Sequence, residues 1–364
     1  NPNHFFIGSR AMRVSDFNFE LPPEHIAQQP AEPRDRARLL HVPANAEPAD
    51  LYFTDLANLL QPGDLLVTNN TRVIPARLTG NKHSGAKIEI TLHKSEGPGL
   101  WKAFARPAKK LKQGEVVQFT SEFYAVVKSK CDAGEVTLLF NISGIAFLDA
   151  LRTNGVMPLP PYIKRPWEGC QADQLSYQTL FAQKDGAVAA PTASLHFTPN
   201  LVQAIKDRGV QIEQLTLHVG AGTFLPIKVD DTKDHIMHSE WGEISAQVAE
   251  QINQVKQNGG RIIASGTTSL RLLETATSKD GIVGAFEGET DIFITPGYTF
   301  RAANLLLTNF HLPKSTLFML VAAFSGLDKM KQVYQHAMDK NYRFYSYGDA
   351  SLLELAHNSP KESL

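Results

Sequence analysis

Residues 261–271 read RIIASGTTSLR, and this stretch decides the fold. Residues 261–264 are largely apolar and predict a short buried strand, whereas residues 269–275 have the patterning of a helix. Glycine and hydroxyl side chains lie at the junction. In α/β folds such junctions form the edge of the sheet where ligands bind, because backbone N–H groups and helix N-termini are free there. The stretch therefore predicts an α/β domain with a ligand site at its strand ends.

Three further segments have the same character, and they lie between residues 190 and 316. They read APTASLHF at 190–197, HVGAGTF at 218–224 and TNFHLPKST at 308–316. A segment that contributed only to the packing of the core would not require so many hydroxyls, imidazoles and glycines at strand ends. Together the four segments predict one large site for a polar substrate. The alternation of strands and helices around them is typical of a mostly parallel sheet or barrel.

The pattern of the chain changes between residues 75 and 152. Short runs with turn signals between them predict a small antiparallel β-barrel, with strands at 87–93, 100–106, 115–120, 124–128 and 135–140. We expect a large α/β domain at 12–74 and 153–364, barrel-like or built on a mostly parallel sheet, with the barrel inserted at 75–152. Within the large domain, a further strand is predicted at 291–295. Residues 1–11 are expected to be a leader ahead of a native start at Met12.

The composition excludes several classes of protein. Of the 364 residues 43% are hydrophobic, which allows a buried core, and the net charge of −1 gives no global signal for nucleic acid. Cys131 and Cys170 are the two cysteines, so no disulfide framework is indicated and a cytoplasmic location is expected. The longest strongly apolar run, at 316–324, is too short to cross a bilayer, and no membrane partner is expected.

Five residues are candidates for catalysis: His196, His218, His238, Glu240 and His311. Histidine titrates near neutral pH and can act as an acid, a base or a hydrogen-bond donor. The segment HIMHSE at 235–240 could in principle bind a metal, but its spacing is not one of the usual zinc signatures. The alternative is that several of these histidines are structural and that Glu240 is a solvated surface carboxylate.

A second set of residues is expected to bind substrate. Glycines in GAG at 220–222 would let a ligand approach the backbone, although two glycines often only form a turn. The hydroxyls at 267–269 and Arg271 would suit an anion or a ribose, the alternative being a plain capping loop. Lys314 is expected near the N-terminus of a helix, where the helix dipole disfavours a positive charge. A lysine at this position therefore favours a role in binding an anionic partner. The full set is Thr192, Ser194, Gly220, Gly222, Thr223, Gly266, Thr267, Thr268, Arg271, Asn309, Lys314, Arg343 and Tyr347.

The last two members of this set belong to the aromatic segment YRFYSYGD at 342–349. Its rings and arginine could stack on a base or an adenine, or they could be core packing. Basic residues cluster in and near the barrel, where they could hold phosphates or form a solvated face. The candidates for phosphate contacts are Arg72, Arg106, Lys109, Lys110, Lys164 and Arg165.

Taken as a set, these motifs resemble the S-adenosylmethionine:tRNA ribosyltransferase-isomerase family of queuosine biosynthesis. The resemblance runs from Met12 to about Leu353. It is carried by the four segments above and by NNTRVIPARL at 69–78, RPAKK at 106–110, LPPYI at 159–163, YQT at 177–179, MHSE at 237–240 and the aromatic segment at 342–349. Two departures are Ser194, where the family more often has glycine, and Ala187, where it often has threonine.

The resemblance implies transfer of the ribosyl part of S-adenosylmethionine to 7-aminomethyl-7-deazaguanine at the tRNA wobble position. The product would be epoxyqueuosine, with adenine and methionine released, and neither a metal nor a further cofactor would be needed. A monomer is expected, and the basic candidates named above would bind the tRNA. In this scheme His238, Glu240 or His311 would be the base near the carbon bonded to sulfur. The acid that protonates the departing adenine would be His196 or His218. The helix start at 266–268 with Arg271 would bind the methionine carboxylate.

Two other interpretations remain open at this point. A methyltransferase that uses the same donor would leave the ribose intact and yield S-adenosylhomocysteine. A non-catalytic RNA-binding protein would use the barrel as its platform. The concentration of hydroxyls, histidines and glycines in the α/β part argues against this second alternative, since phosphate contacts are made mostly by lysine and arginine.

Overall fold

The computed structural model describes residues 11–357. They form a large α/β part built on an open nine-stranded sheet, together with a closed six-stranded β-barrel. Of the two architectures expected for the large part, the structure has the sheet with a parallel centre rather than a barrel. The leader predicted at 1–11 lies outside the described residues, apart from Ala11.

The strands of both parts are short and follow one another along the whole described chain. In order they are β1 (Arg38–Val42), β2 (Ala49–Tyr52), β3 (Leu65–Asn69), β4 (Thr71–Val73), β5 (Arg77–Asn81), β6 (Lys87–Gly97), β7 (Leu100–Arg106), β8 (Val116–Gln118), β9 (Tyr124–Lys130), β10 (Glu135–Phe140), β11 (Lys184–Ala187), β12 (Gln211–Leu217), β13 (Glu240–Ile244), β14 (Ile262–Ser265), β15 (Phe286–Thr290), β16 (Leu305–Asn309) and β17 (Ala350–Glu354).

The helices lie mainly in the second half. They are α1 (Leu56–Leu59), α2 (Gly144–Asn154), α3 (Asp173–Ser176), α4 (Pro199–Asp207), α5 (Ala246–Gln257), α6 (Thr267–Thr275), α7 (Thr316–Ser325) and α8 (Leu327–Asp339). Thr198, Ser245 and Ser315 cap α4, α5 and α7 through side-chain oxygens that accept backbone N–H groups. No helix among residues 11–357 is long and apolar enough to cross a membrane.

The large sheet has the order β15-β13-β12-β3-β14-β16-β17-β1-β2. Its central strands β12, β3, β14 and β16 are mutually parallel, and antiparallel pairs flank them on both sides. Successive residues of β3 enter different cores: Leu65 and Val67 pack with α5 to α8, whereas Leu66 packs with α1 and α4. The sheet is thus buried on both faces, and its central strands end together at one edge.

The barrel has the order β10-β7-β6-β5-β8-β9 and is antiparallel throughout. Its strands lie between residues 77 and 140, within the range predicted for the insertion. The first strand, β5, was not among the five predicted, because Gly80 interrupts its apolar pattern. A Cβ at Gly80 would lie 2.8 Å from the carbonyl oxygen of Gln118, so glycine lets β5 approach β8. Phe147 and Leu151 of α2 join the barrel core.

The prediction of a strand at 291–295 was wrong. The strand is β15, residues 286–290, which pairs antiparallel with β13 at the edge of the sheet. The sequence of β15, FEGET, is polar, which fits an edge strand that pairs with one neighbour and is partly exposed to solvent. The segment DIFIT at 291–295 has the apolar alternation of a strand but pairs with no other strand of the described chain. Tertiary pairing overrides local propensity here.

Candidate active site

The main cleft of the molecule lies where the central parallel strands end, between the large sheet and the barrel. It has a volume of about 1010 Å³. Its walls come from the segments that follow β12 and β16, from residues 234–241, and from the barrel side chains His93, Trp101 and Phe104. A smaller cavity of about 80 Å³ shares Arg271, His311 and several neighbours with it. The edge predicted from RIIASGTTSLR therefore opens into a cleft, and the barrel completes it.

A buried ion pair forms one end of the cleft. Arg271 Nη1 donates to Glu240 Oε1 at 2.7 Å, and the backbone N–H of Gly220 donates to Glu240 Oε2 at 2.7 Å. Within residues 11–357, Arg271 Nε and Nη2 are buried and have no hydrogen-bond partner. Both Glu240 oxygens are engaged, so this carboxylate could act as a base only by releasing one of these bonds. Two nitrogens of this buried cation are thus left without a hydrogen-bond partner.

The start of α6 lies beside this ion pair. Gly266 has φ +91°, a conformation that favours glycine, and it turns the chain from β14 into the helix. Thr267 and Thr268 line the smaller cavity, and Thr268 Oγ1 accepts a hydrogen bond from Asn69 Nδ2 at 3.3 Å. Asn69 also fixes β12 by donating to the carbonyl of Leu217 at 3.0 Å. This corner combines a helix N-terminus with Arg271, which suits a carboxylate.

His218 is held firmly at the end of β12. Its Nδ1 lies 2.8 Å from Thr71 Oγ1, and its ring stacks on Trp241 with centroids 5.2 Å apart. A Cβ on Gly186, which has φ +152°, would lie 2.6 Å from His218 Nε2. Burial and the positive charge of Lys184 lower the pKa of His218 to about 4, so the ring is neutral at pH 7.

His311 lines both cavities after β16. Its Nε2 lies 2.8 Å from Thr308 Oγ1, and its backbone N–H donates to the hydroxyl oxygen of Tyr334. Burial lowers its pKa to about 3. Lys314 follows on the exposed rim of the cleft with φ +56°, and Tyr345, which also lines the cleft, has φ +77°. Non-glycine residues in this strained region are uncommon and concentrate at functional sites.

His238 is exposed on the cleft wall and faces the barrel. Its ring meets His93 edge to face, with centroids 5.2 Å apart. A Cβ on Gly222 would lie 2.6 Å from His238 Cδ2, so glycine makes room for this imidazole. Gly220 and Thr223 also line the main cleft. The glycines at 220 and 222 therefore do more than form a turn.

Several predicted residues lie behind the cleft rather than in it. His196 is buried against Phe53, with Nε2 2.8 Å from Asn309 Oδ1, and burial lowers its pKa. Asn309 itself lines the smaller cavity, as does Thr192. Ser194 is fully buried with its Oγ 2.8 Å from Ser265 Oγ. The side chain that departs from the family pattern thus bonds within the protein and lines neither cavity.

Two members of the aromatic segment are engaged elsewhere. Tyr347 is buried and donates to Asp173 Oδ1 at 2.8 Å, and Arg343 donates to the carbonyl of Gln29. Neither lines the two cavities described above. Tyr345 of the same segment lines both, and the sequence prediction missed it. Its neighbour in space is Tyr162, whose ring centroid is 5.4 Å away.

The predicted basic residues differ in their availability. Lys109, Lys110 and Lys164 are exposed. Arg106 is also exposed but donates to Glu89. Arg72 lies near Asp185, and Arg165 is largely buried in a 2.7 Å ion pair with Asp173, which raises its pKa.

Other residues of functional interest were missed altogether. His93 lines the cleft from β6, and its place in an alternating barrel strand gave no signal for it. Trp167 was missed too; the guanidinium of Arg77 lies 4.7 Å from its ring centre, and that of Arg106 lies 5.8 Å away. Among the residues that the structure describes, no group of three or more His, Cys, Asp or Glu is placed to hold a metal ion.

The fold and the site are those of an α/β enzyme whose cleft is lined by a buried ion pair, by neutral buried histidines and by side chains of a closed β-barrel. A family model described as "Queuosine biosynthesis protein" matches residues 14–353, and the chain belongs to this family. It is 58% identical over 352 residues to the S-adenosylmethionine:tRNA ribosyltransferase-isomerase of Methylocella silvestris, covering 94% of this chain and 98% of that one. The corresponding Rhodospirillum rubrum protein is 55% identical, with coverage of 95% and 99%.

A solved structure supports the same assignment. The S-adenosylmethionine tRNA ribosyltransferase of Thermotoga maritima is similar with a TM-score of 0.54 and 35% identity. The similarity covers 93% of this chain and 99% of that chain. The family resemblance inferred from the motifs is confirmed.

Proposed function

We propose that this protein transfers and isomerises the ribosyl moiety of S-adenosylmethionine onto 7-aminomethyl-7-deazaguanine at the tRNA wobble position. The products are epoxyqueuosine-tRNA, adenine and methionine. Family membership supports the reaction, and the names of the relatives supply its two substrates. They do not favour the alternative of a methyltransferase.

The observation that carries the proposal is the pair of unpartnered guanidinium nitrogens on Arg271. Both nitrogens lack partners among the described residues and are buried, so an anion reaches them only when the surrounding side chains shift, and it then stabilises the buried cation. We assign this position to the methionine carboxylate of the donor, with Thr267, Thr268 and the start of α6 beside it. Lys314 on the rim would add a second positive charge for an anionic group of either substrate.

The histidines supply the proton chemistry. Opening the ribose through a carbanion stabilised by the adjacent sulfonium requires a base near the carbon bonded to sulfur. His238 and His311 line the cleft and are the candidates, with Glu240 acting chiefly to hold Arg271 and Gly220 in place. His218, expected from the sequence to be an acid, has a neutral ring at pH 7, so we assign it a hydrogen bond to the departing adenine rather than transfer of a proton. His196 would act indirectly, by orienting Asn309.

The tRNA would approach over the exposed basic residues of the barrel and its neighbouring loop. Lys109, Lys110 and Lys164 are available for phosphates. Arg72, Arg106 and Arg165 are held by acidic partners, so their contribution would be weaker. We also retain the expected boundaries at 75–152 for the barrel domain, a monomeric state and a cytoplasmic location as parts of the proposal.

The experiment uses purified protein, S-adenosylmethionine and tRNA that carries 7-aminomethyl-7-deazaguanine, with small products followed by mass spectrometry. Adenine and methionine released together, and only with that tRNA, are the expected result. S-adenosylhomocysteine would instead mean methyl transfer, and tight tRNA binding without products would mean a binding protein. Decarboxylated S-adenosylmethionine tests the Arg271 assignment: wild-type protein should discriminate strongly against it, and Arg271→Met should not.

A further inference from the structure

The barrel contributes one side chain to the cleft whose bonding is incomplete. His93 is only 5% exposed, and it lines the main cleft. Its Nδ1 is buried and has no hydrogen-bond partner within residues 11–357. Buried polar atoms are nearly always partnered, so this exception requires a reason. Since Nδ1 is inaccessible, Nε2 is the ring nitrogen that can meet a ligand.

Contacts between the two parts fix the position of this imidazole. The next residue, Lys94, donates to Ser239 Oγ at 2.7 Å and forms an ion pair with Glu289 at 2.7 Å. His93 meets His238 and Lys94 meets Ser239, so two successive barrel residues contact two successive residues of the large part. These contacts hold His93 against residues 238 and 239 of the large part.

The surroundings decide which ring nitrogen carries the proton. A proton on Nδ1 would be a buried donor without an acceptor, which is unfavourable, so the neutral tautomer carries its hydrogen on Nε2. Burial, with the charges of His238, Lys102 and Lys94, lowers the pKa of His93 to about 4 and keeps the ring uncharged. His93 thus presents one fixed, neutral donor to the cleft.

We propose that His93 Nε2 donates a hydrogen bond to an uncharged acceptor on the edge of a nucleobase bound in the cleft. The ring of Phe104 lies 5.0 Å from His93, and Trp101 and Trp241 line the same cleft. Aromatic side chains and an uncharged hydrogen-bond donor suit a heteroaromatic ring. The carboxylate of S-adenosylmethionine, in contrast, suits Arg271. A heteroaromatic nitrogen or carbonyl oxygen is present on both candidate bases, the adenine of the donor and the 7-deazaguanine of the tRNA.

This inference rests on the proposed function and adds a contact to it. The test compares two variants. In His93→Gln the amide nitrogen lies the same number of bonds from Cβ as the histidine Nε2, so this variant keeps a neutral donor. His93→Phe keeps a ring and removes the donor. Leaving an uncharged buried acceptor without its donor typically costs about 5- to 150-fold, so we expect kcat/KM to fall about 10- to 100-fold for His93→Phe, with His93→Gln within about threefold of wild type.

Thermal unfolding separates this role from a structural one. Phenylalanine removes the unpartnered nitrogen, so His93→Phe should unfold at the same temperature as wild type or higher while being less active. Calorimetric titration with S-adenosylmethionine alone identifies the base. Weaker binding by His93→Phe indicates adenine, whereas unchanged binding with a raised KM for tRNA indicates the wobble base; both outcomes support the proposal.

Two results would overturn it. One is a His93→Phe enzyme with kcat/KM within about twofold of wild type for both substrates, because leaving a buried acceptor without its donor costs more than that. The other is a His93→Gln enzyme as impaired as His93→Phe, because the ring rather than the donor would then matter. If wild-type protein itself releases no adenine and methionine, it is the proposed function that fails, and the two failures are distinguishable.

Discussion

Removing the charge of Glu240 tests how the cleft holds Arg271. The two side chains are 5% and 3% exposed, and their 2.7 Å hydrogen bond is the one bond that the guanidinium makes within the described chain. Breaking a buried ion pair by removing one partner typically costs about 3–5 kcal/mol, since an uncompensated charge stays buried. Glutamine at 240 can still accept the N–H of Gly220, so we expect Glu240→Gln to lower the free energy of unfolding by about 3 kcal/mol.

The matched control lies on the same strand. Glu243 pairs with Lys184 at 2.9 Å, but these side chains are 34% and 52% exposed. Exposed pairs contribute about 0–1 kcal/mol, so Glu243→Gln should have little effect. Urea unfolding followed by circular dichroism measures both variants. Equal stability of the two variants would refute the view that Glu240 compensates a buried cation.

The same variants report on the ligand. If the methionine carboxylate binds Arg271, it can replace part of the missing charge in Glu240→Gln. Saturating S-adenosylmethionine should therefore raise the stability of Glu240→Gln by at least as much as that of wild type. In the double variant Arg271→Met with Glu240→Gln both charges are absent, so the destabilisation should be smaller than the sum of the single effects.

Three further predictions concern other parts of the molecule. Gly186→Ala would place a Cβ 2.6 Å from His218, and we expect it to lower kcat, measured by product release, at least about tenfold. The control is Gly85→Ala, which is also at positive φ but where the added Cβ would meet no described atom within 4 Å beyond its chain neighbours, and it should leave kcat unchanged. The folded-state pKa values of His93, His218 and His311, about 4, 4 and 3, lie below the unfolded value of 6.5, so the unfolded chain binds more protons. The free energy of unfolding should fall as pH drops from 6.5 towards 4, by about 1.4 kcal/mol per pH unit and histidine, and urea titrations that show no such fall would contradict this. The double variant Lys109→Glu with Lys110→Glu should raise KM for tRNA. It should also reduce the slope of log binding constant against log salt concentration by about one for each phosphate that is no longer bound, whereas Lys128→Glu elsewhere on the barrel should change neither quantity.

The sequence predicted the elements that carry their own local signal. The strands β12, β14 and β16 end in glycine and hydroxyl motifs, and the strand predicted at 261–264 is β14, residues 262–265. What it could not predict depends on contacts between distant segments. The edge strand β15 is polar because it pairs with β13, and β5 contains Gly80 because β8 lies close to it.

The site shows the same division. Arg271 and His311 lie next to recognisable motifs and were found. His93 was not, since KIEITLH at 87–93 looks like an ordinary alternating strand, and only the contacts of the barrel with residues 238 and 239 reveal its place in the cleft. Conversely, Tyr347 and Arg165 looked available, but both contact Asp173, a partner that no local pattern assigns to them.

The charge of the donor gives a physical reason for the buried histidines. S-adenosylmethionine carries a positive sulfonium, and imidazolium groups around it would repel it in a cleft of low dielectric. Burial keeps His218 and His311 neutral, with pKa values of about 4 and 3. The same burial makes them weak proton acceptors, so they suit hydrogen bonding to the ribose and adenine better than abstraction of a proton from carbon. His238 is exposed and lies outside that environment, on the same wall. We therefore infer that His238 is the base, and that His238→Gln should abolish adenine release while His311→Gln only slows it.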